Sequence, residues 1–292
     1  MKIIISELPP SPWWGQGVPA YDDNPAMLAG AIPNQSLVVS ERNTLITILK
    51  GLGVDIFESP FPRKLNDKYL QHDFIYIRDQ FITDQNGNAV ILQFRNPQRR
   101  VEQQYIVPIL ETLGLSITYL PEKSDLFAEG GEFYFCKQDN ILFSGLSRNS
   151  RSGAYAVATT LNVGELILLE SNVFHLDAYF SPVLGQDGGI CAIICCLAEL
   201  ANHSQTELNN FANKRNIPIL DIPIEDGIGT TGHPGSFATN TLPLPGVLVC
   251  PSAFSNPHIN RKIKDLEIEH IIAPLSQYAL SGGAVHCCTN EL

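Results

Sequence analysis

Short apolar runs recur along this chain in one order: two runs of strand character, a stretch of helical periodicity, then a third apolar run. In the first unit these are Lys2–Ser6 and Ser36–Val39, a helix over Ser40–Lys50, and Val54–Phe57. Ser40 is the expected N-cap and Gly51 the stop, with Leu45, Ile46, Ile48 and Leu49 forming the apolar face. The second unit reads Phe74–Ile77, Ala89–Phe94, a helix over Arg100–Leu113 that contains Pro108, and Ile117–Leu120. The third reads Phe133–Cys136, Ile141–Phe143, a helix over Ser150–Leu161, and Leu166–Leu169. The fourth reads Ala178–Leu184, Ile190–Ile194, a helix over Gln205–Lys214, and Ile217–Leu220; Cys191–Leu200 fits strand or helix equally. The fifth reads Phe237–Leu242, Val247–Cys250, a helix over Pro257–Leu266, and Ile271–Leu275. No residue motif repeats between units, so the repeat is one of architecture. Five ββαβ units imply a closed pseudo-symmetric α/β ring, a propeller of five blades, rather than an open sheet. All 292 residues are expected in that single domain, with the Pro-, Gly- and Trp-rich segment Leu8–Pro33 as an excursion or a lid over the ring's mouth.

Composition narrows the function. A formal charge of −11 and the lack of any basic run argue against nucleic acid as a partner. No apolar run is long enough to span a membrane, and Glu7 and the prolines after it interrupt Ile3-Ile4-Ile5 before a secretory signal could form. Seven cysteines without a C-x-x-C pair suit reduced thiols in a cytoplasmic protein better than a zinc site or disulfide scaffold. Cys136, Cys191, Cys195, Cys196 and Cys250 lie in apolar runs and read as core. His233 reads as a turn residue, and Trp13 and Trp14 as packing or cover.

The polar residues that stand out fall at matching places in successive units. Arg78-Asp79 follows Phe74-Ile75-Tyr76-Ile77, Glu129-Gly130-Gly131-Glu132 opens the third unit, His175-Leu176-Asp177 opens the fourth, and Cys287 follows the last. Equivalent positions of a ring converge on its axis, so a thiol, an imidazole and three carboxylates would share one pocket. Cysteine with histidine is a nucleophile and acid/base pairing. Asp79 and Asp177 together form a receptor for a planar cation with several donors, such as guanidinium.

Phe174-His175-Leu176-Asp177, Glu129-Gly130-Gly131 and Gly282-Gly283-Ala284-Val285-His286-Cys287 resemble the H-x-D, E-G-G and G-G-x-x-x-C motifs of the guanidino-group modifying enzymes. This superfamily, the penteins, contains deiminases, amidinotransferases, arginine dihydrolase and dimethylarginine dimethylaminohydrolase. The resemblance implies a five-bladed α/β-propeller with Cys287 as nucleophile, His175 as general acid/base and Glu129 as its carboxylate partner. Asp79 and Asp177 match residues that grip the guanidinium. Arg99-Arg100 and the Arg148 and Arg151 of Gly145–Ala154 resemble segments that bind a substrate carboxylate; which arginine of each pair does so is left open. Asn240, in Phe237–Thr241, matches a dihydrolase position at the substrate.

The resemblance implies a hydrolase that cleaves a guanidino C–N bond of arginine or a close derivative, giving citrulline and ammonia without metal or organic cofactor. A small guanidinium is then the partner, and a homo-oligomer is compatible. Length and the arginine segments resemble dimethylarginine dimethylaminohydrolase, which commonly has lysine where Asp177 stands. Arginine dihydrolase carries asparagine in place of Asp79, and agmatine deiminase shares the V-H-C ending. A non-catalytic ring that binds a guanidinium is the alternative from another class, and it leaves the thiol without a use.

Overall fold

The computed structural model describes residues 1–9, 13, 25–65, 72–230 and 233–292; Trp14 and most of the expected lid lie outside them. Among the described residues, five three-stranded sheets carry the fold, beside one two-stranded hairpin of β12 (Gly229–Thr230) and β13 (His233–Pro234). Four sheets follow the expected unit, an antiparallel pair, a helix and a parallel third strand. They are β3 (Phe81–Thr83), β4 (Asn88–Ile91) and β5 (Ser116–Tyr119); β6 (Phe133–Cys136), β7 (Ile141–Gly145) and β8 (Glu165–Leu169); β9 (Phe180–Leu184), β10 (Ile190–Cys195) and β11 (Ile219–Asp221); and β14 (Leu242–Leu244), β15 (Val247–Cys250) and β16 (Glu269–Ile272). The Cys191–Leu200 ambiguity resolves as strand to Cys195, followed by a 3₁₀ turn over Leu197–Glu199.

The first sheet is built differently. Its strands β1 (Lys2–Ser6) and β2 (Asp55–Ser59) are parallel, and the antiparallel partner of β1 is β17 (Asn290–Glu291) from the far end of the chain. Ser36–Val39, expected as a strand, is the start of a helix. After the single turn α1 (Pro25–Leu28), α2 runs over Gln35–Gly51, and its cap is Asn34, whose side chain accepts from the amides of Ser36 and Leu37. Val38, Leu45 and Leu49 are buried while Leu37 and Val39 are exposed, the spacing of one helix face rather than strand alternation.

The other crossover helices are α3 (Gln103–Thr112), which runs on through Pro108, α4 (Arg151–Thr160), α5 (Asn202–Arg215) and α6 (Pro257–Asp265). All five crossovers end alike. Gly53, Gly114, Asn162, Asn216 and Glu267 take left-handed backbone. The next residue's amide returns to a carbonyl five positions back: Val54 to Leu49, Leu115 to Leu110, Val163 to Ala158, Ile217 to Ala212 and Ile268 to Ile263. This closure satisfies the terminal carbonyls and turns the chain back toward its sheet.

Two other strand expectations give way to tight turns. Phe74–Ile77 forms parts of two 3₁₀ turns, Asp73–Ile75 and Ile77–Gln80, and the strand begins at Phe81. Only Leu242 of Phe237–Leu242 is in a strand, because Phe237 itself has left-handed backbone (φ +54°). These turns matter for the site. Asp79, Glu129, His175, Asp177, Asn240 and Cys287 all lie in the few residues that precede a sheet's first strand: β3, β6, β9, β14 and β17. Trp13 is buried, its ring 4.9 Å from Tyr278 and its Nε1 donating to the His72 carbonyl, so it packs the interior.

Candidate active site

A cavity of about 290 Å³ opens between these turns, lined by Asp79, Arg99, Glu129, Arg148, His175 and Cys287 among others. On one wall, His175 Nε2 meets Glu129 Oε2 at 3.0 Å, and His175 Nδ1 lies 3.9 Å from Asp79 Oδ1. Glu129 Oε1 accepts from the Arg95 amide, Asp79 Oδ1 from the Gly131 amide, and Asp79 Oδ2 from Arg99 at 2.7 Å. Burial alone would strip the proton from His175, but Asp79, Glu129 and Asp177 together outweigh it and push its pKa up to about 9. Gly131 is needed for this approach, since a Cβ there would lie 2.5 Å from His175 Nδ1 and 3.0 Å from Asp79 Oδ1.

The facing wall holds the thiol. Cys287 Sγ is 3.2 Å from Asp177 Oδ2 and 3.1 Å from Asn240 Nδ2. His286 Nδ1 contacts the same Asp177 oxygen at 2.8 Å, and its ring stacks on Tyr134 at 4.1 Å. Burial, Arg78 and His175 push His286 well below the usual imidazole range, so it is neutral and its Nδ1–H donates to Asp177. Burial and the carboxylates of Asp177 and Asp79 hold the Cys287 thiol well above its ordinary pKa. Asp177 is itself pushed up to about 7, by burial first and then by Asp79. Its Oδ1 is buried and has no hydrogen-bond partner among the described residues. Gly283 lets this segment close on Tyr76, as a Cβ there would come within 2.4 Å of the ring.

The structure thus brings Cys287, His175, Glu129, Asp79 and Asp177 together, with Asp177 and Asn240 buried against Cys287 Sγ rather than among the residues that line the cavity. The arginines separate clearly. Arg99 is buried and bonded to Asp79, twice to Glu102 and to the Asp73 carbonyl, with its guanidinium 4.5 Å from the Phe94 ring centre. Arg99 also lines the cavity, but its charge is paired inside the protein, where it fixes Asp79. Arg148 lines the cavity, and burial lowers its pKa. Arg100 turns away to the Phe94 carbonyl. Arg151, 59% exposed on α4, faces Glu170 at 3.5 Å, so neither Arg100 nor Arg151 reaches the cavity.

Several supporting residues were given no role by the sequence. Glu132 Oε2 accepts from the Leu176 amide at 2.9 Å, while its Oε1 accepts from Ser147 Oγ and the Arg148 amide, tying the arginine loop to the histidine turn. Asn149 Oδ1 accepts from the Glu129 amide at 2.7 Å. Arg78, beside Asp79 in sequence, points the other way, to Glu291 at 2.6 Å and to the His286 carbonyl. The E-G-G-E spacing was the available signal for Glu132; nothing local marked Asn149.

A profile of the family described as N,N dimethylarginine dimethylhydrolase, eukaryotic, matches residues 31–292. No curated protein sequence matches the chain. Among solved structures, the N-terminal domain of ArgZ, an arginine dihydrolase from the ornithine–ammonia cycle in cyanobacteria, was determined with its product. It aligns at TM-score 0.79 and 19% identity, over 99% of this chain and 96% of that one. DDAH from Pseudomonas aeruginosa, complexed with citrulline, aligns at 0.73 and 16% identity, over 100% of this chain and 98% of that one. AgrE, in a ternary complex with ornithine and NAD⁺, aligns at 0.80 and 18% identity; 99% of this chain is covered, but it spans only 39% of AgrE. At such identities the likeness establishes the shared fold.

Proposed function

The chain belongs to the N,N-dimethylarginine dimethylhydrolase family, a class of cysteine-dependent guanidino hydrolases, and from that premise we propose that it converts arginine to citrulline and ammonia through an intermediate on Cys287. The observation that carries the choice of substrate is Asp177 Oδ1, a buried acceptor beside the thiol with no partner among the described residues. Such a carboxylate costs ~2–5 kcal/mol while buried and unpaired, and an N–H of an unsubstituted guanidinium held against Cys287 would satisfy it.

The chemistry follows from the charges. In the empty site two carboxylates oppose a thiolate. A bound guanidinium cation offsets both and places its carbon beside Sγ, so the substrate itself favours loss of the S–H proton to solvent and formation of the thiolate. The thiolate attacks that carbon. His175, protonated at neutral pH, gives its proton to the departing amine as the C–N bond breaks. The amidino-thioether that remains is then attacked by water, which His175 deprotonates, and the C–S bond breaks to free citrulline. Arg148, which lines the cavity beside Glu129 and His175, is assigned to the substrate's carboxylate. We also read the five sheets as blades of one closed ring spanning residues 1–292; the pairing of β17 with β1 supports it.

A second reading, dimethylarginine to citrulline and dimethylamine, is favoured by the family's own description. Incubation with arginine, asymmetric dimethylarginine and agmatine, with citrulline and released amine quantified together, separates the two. One ammonia per citrulline, with arginine preferred, is the expected result. Dimethylamine at a higher kcat/KM selects the second reading, and turnover of none of these guanidines overturns both.

A further inference from the structure

Asn240 makes no contact with the cavity, yet it is wholly buried and one of its atoms accepts three hydrogen bonds. The amides of Ala284, His286 and Cys287 converge on Asn240 Oδ1 at 3.1, 3.0 and 3.3 Å. Three N–H donors fix that atom as the oxygen, so the orientation of the side-chain amide follows from the network. The NH₂ group then has one direction left, and Nδ2 lies 3.1 Å from Cys287 Sγ. The backbone that presents Asn240 is itself costly. Phe237 holds a left-handed conformation unusual for an aromatic residue, and its carbonyl accepts from the Asn240 amide at 2.9 Å. Strain of this kind persists where the surroundings enforce it, and it gathers at functional sites.

We infer that Asn240 is the side-chain hydrogen-bond donor that stabilises the Cys287 thiolate once its proton has left, a role at the nucleophile rather than at the substrate. The inference rests on the reading of Cys287 as nucleophile. Sγ has two polar side-chain contacts among the described residues, and they act in opposite senses. Asp177, as a carboxylate, accepts from the S–H and repels the thiolate. Asn240 Nδ2 can only donate, and a charge-assisted bond to sulfur is stronger than one to a neutral thiol. The other ionisable groups facing the sulfur cannot replace it. Asp79 opposes the thiolate, His286 Nδ1 is committed to Asp177, and Cys288 is a buried thiol. His175 bonds Glu129, Arg78 bonds Glu291 and the His286 carbonyl, and burial keeps Tyr76 and Tyr134 neutral. The arrangement resembles an oxyanion hole, with an amide N–H aimed where charge develops on the nucleophile.

The test is the rate of alkylation of Cys287 by iodoacetamide across pH, in the full-length protein, read by mass spectrometry of the peptide that holds Cys287. Asn240→Asp keeps an acceptor for the three amides but removes the donor and adds negative charge. It should slow alkylation at least ~10-fold at each pH below the thiol midpoint, as a shift of one pKa unit requires. Loss of one preorganised donor should also lower kcat on the order of 10²-fold with KM little changed. Asn240→Ser, too short to reach the sulfur, should behave alike. Alkylation of a folded Asn240→Asp or Asn240→Ser protein at the wild-type rate overturns the inference. Should both variants unfold, the wild-type Asn240 side-chain amide resonance decides. It must shift in step with Cys287 deprotonation, and a resonance that stays put overturns the inference. The premise fails separately, if complete alkylation of wild-type Cys287 leaves turnover intact.

Discussion

The two walls of the cavity are built from similar residues and are left in opposite states. On the histidine wall, all four carboxylate oxygens of Asp79 and Glu129 accept a bond, and the imidazole between them is pushed up to about 9. On the cysteine wall, one oxygen of Asp177 has no partner among the described residues, the imidazole of His286 is held neutral, and the thiol is held protonated. The first wall is complete without a ligand, whereas the second, on the proposed function, is completed by the substrate cation. In the proposed reaction, preorganisation supplies the acid and the substrate's own charge supplies the nucleophile.

Removing the sulfur breaks the second wall outright. Cys287→Ser should lower kcat on the order of 10⁴-fold or more, with arginine binding and the melting temperature nearly unchanged. Cys288→Ser should stay within ~3-fold of wild type, because Cys288 lies in the buried apolar cluster that holds Ile5, Leu45 and Tyr278. Stopped assays, calorimetric titration and thermal melts check both.

Breaking the first wall costs less and also shows in the pH profile. His175→Ala should lose ~10²–10⁴-fold in kcat. In wild type, His175 gives up its proton as pH rises through about 9, so kcat/KM falls on the alkaline side. Asp177 is protonated below about 7 and then grips a cation poorly, so kcat/KM also falls on the acid side. Residual activity in His175→Ala should lack the alkaline limb; a limb that stays there reassigns the acid.

Asp177→Ala sharpens the question of substrate. Leaving a buried carboxylate unpaired costs ~2–5 kcal/mol, so wild type should prefer arginine over asymmetric dimethylarginine by roughly 30-fold to several thousand-fold. The variant should narrow that gap, as kcat/KM for both substrates will report. Smaller still, Arg148→Ala should raise KM for arginine ~10–100-fold and leave agmatine, which lacks the carboxylate, little changed. Arg151→Ala should alter neither substrate by more than ~2-fold, since its side chain lies in solvent.

The sequence exposed much of this, unevenly. β6, β7, α4 and β8 lie where apolar periodicity puts them, because Phe133–Cys136 and Ile141–Gly145 are buried runs flanked by turn residues and Ser150 caps the helix. The strand that completes the first sheet could not be read, as Asn290–Glu291 has no apolar pattern and is defined by its pairing with Ile3 and Ile4. Phe74–Ile77 reads as a strand because its side chains are buried on every side, which two 3₁₀ turns also achieve. The reading that no residue motif repeats overlooked one at the helix ends, where Gly53, Gly114, Asn162 and Asn216 precede an apolar residue; Glu267 breaks the series in composition while keeping its geometry. In the site, His175, Glu129 and Cys287 were legible from motif and order. The choice between Arg99 and Arg100 was not, because adjacent residues on a tight turn point in different directions and periodicity does not fix which faces inward.

The central claim is that catalysis passes through a bond between Cys287 and the guanidino carbon. Acid quench of the enzyme during turnover of arginine, followed by peptide mass spectrometry, tests it directly. The account predicts an amidino adduct on Cys287, absent from Cys287→Ser and more abundant in His175→Ala if the hydrolytic half slows more than attack does. An adduct on Cys288, or none on either thiol while citrulline accumulates, would contradict it.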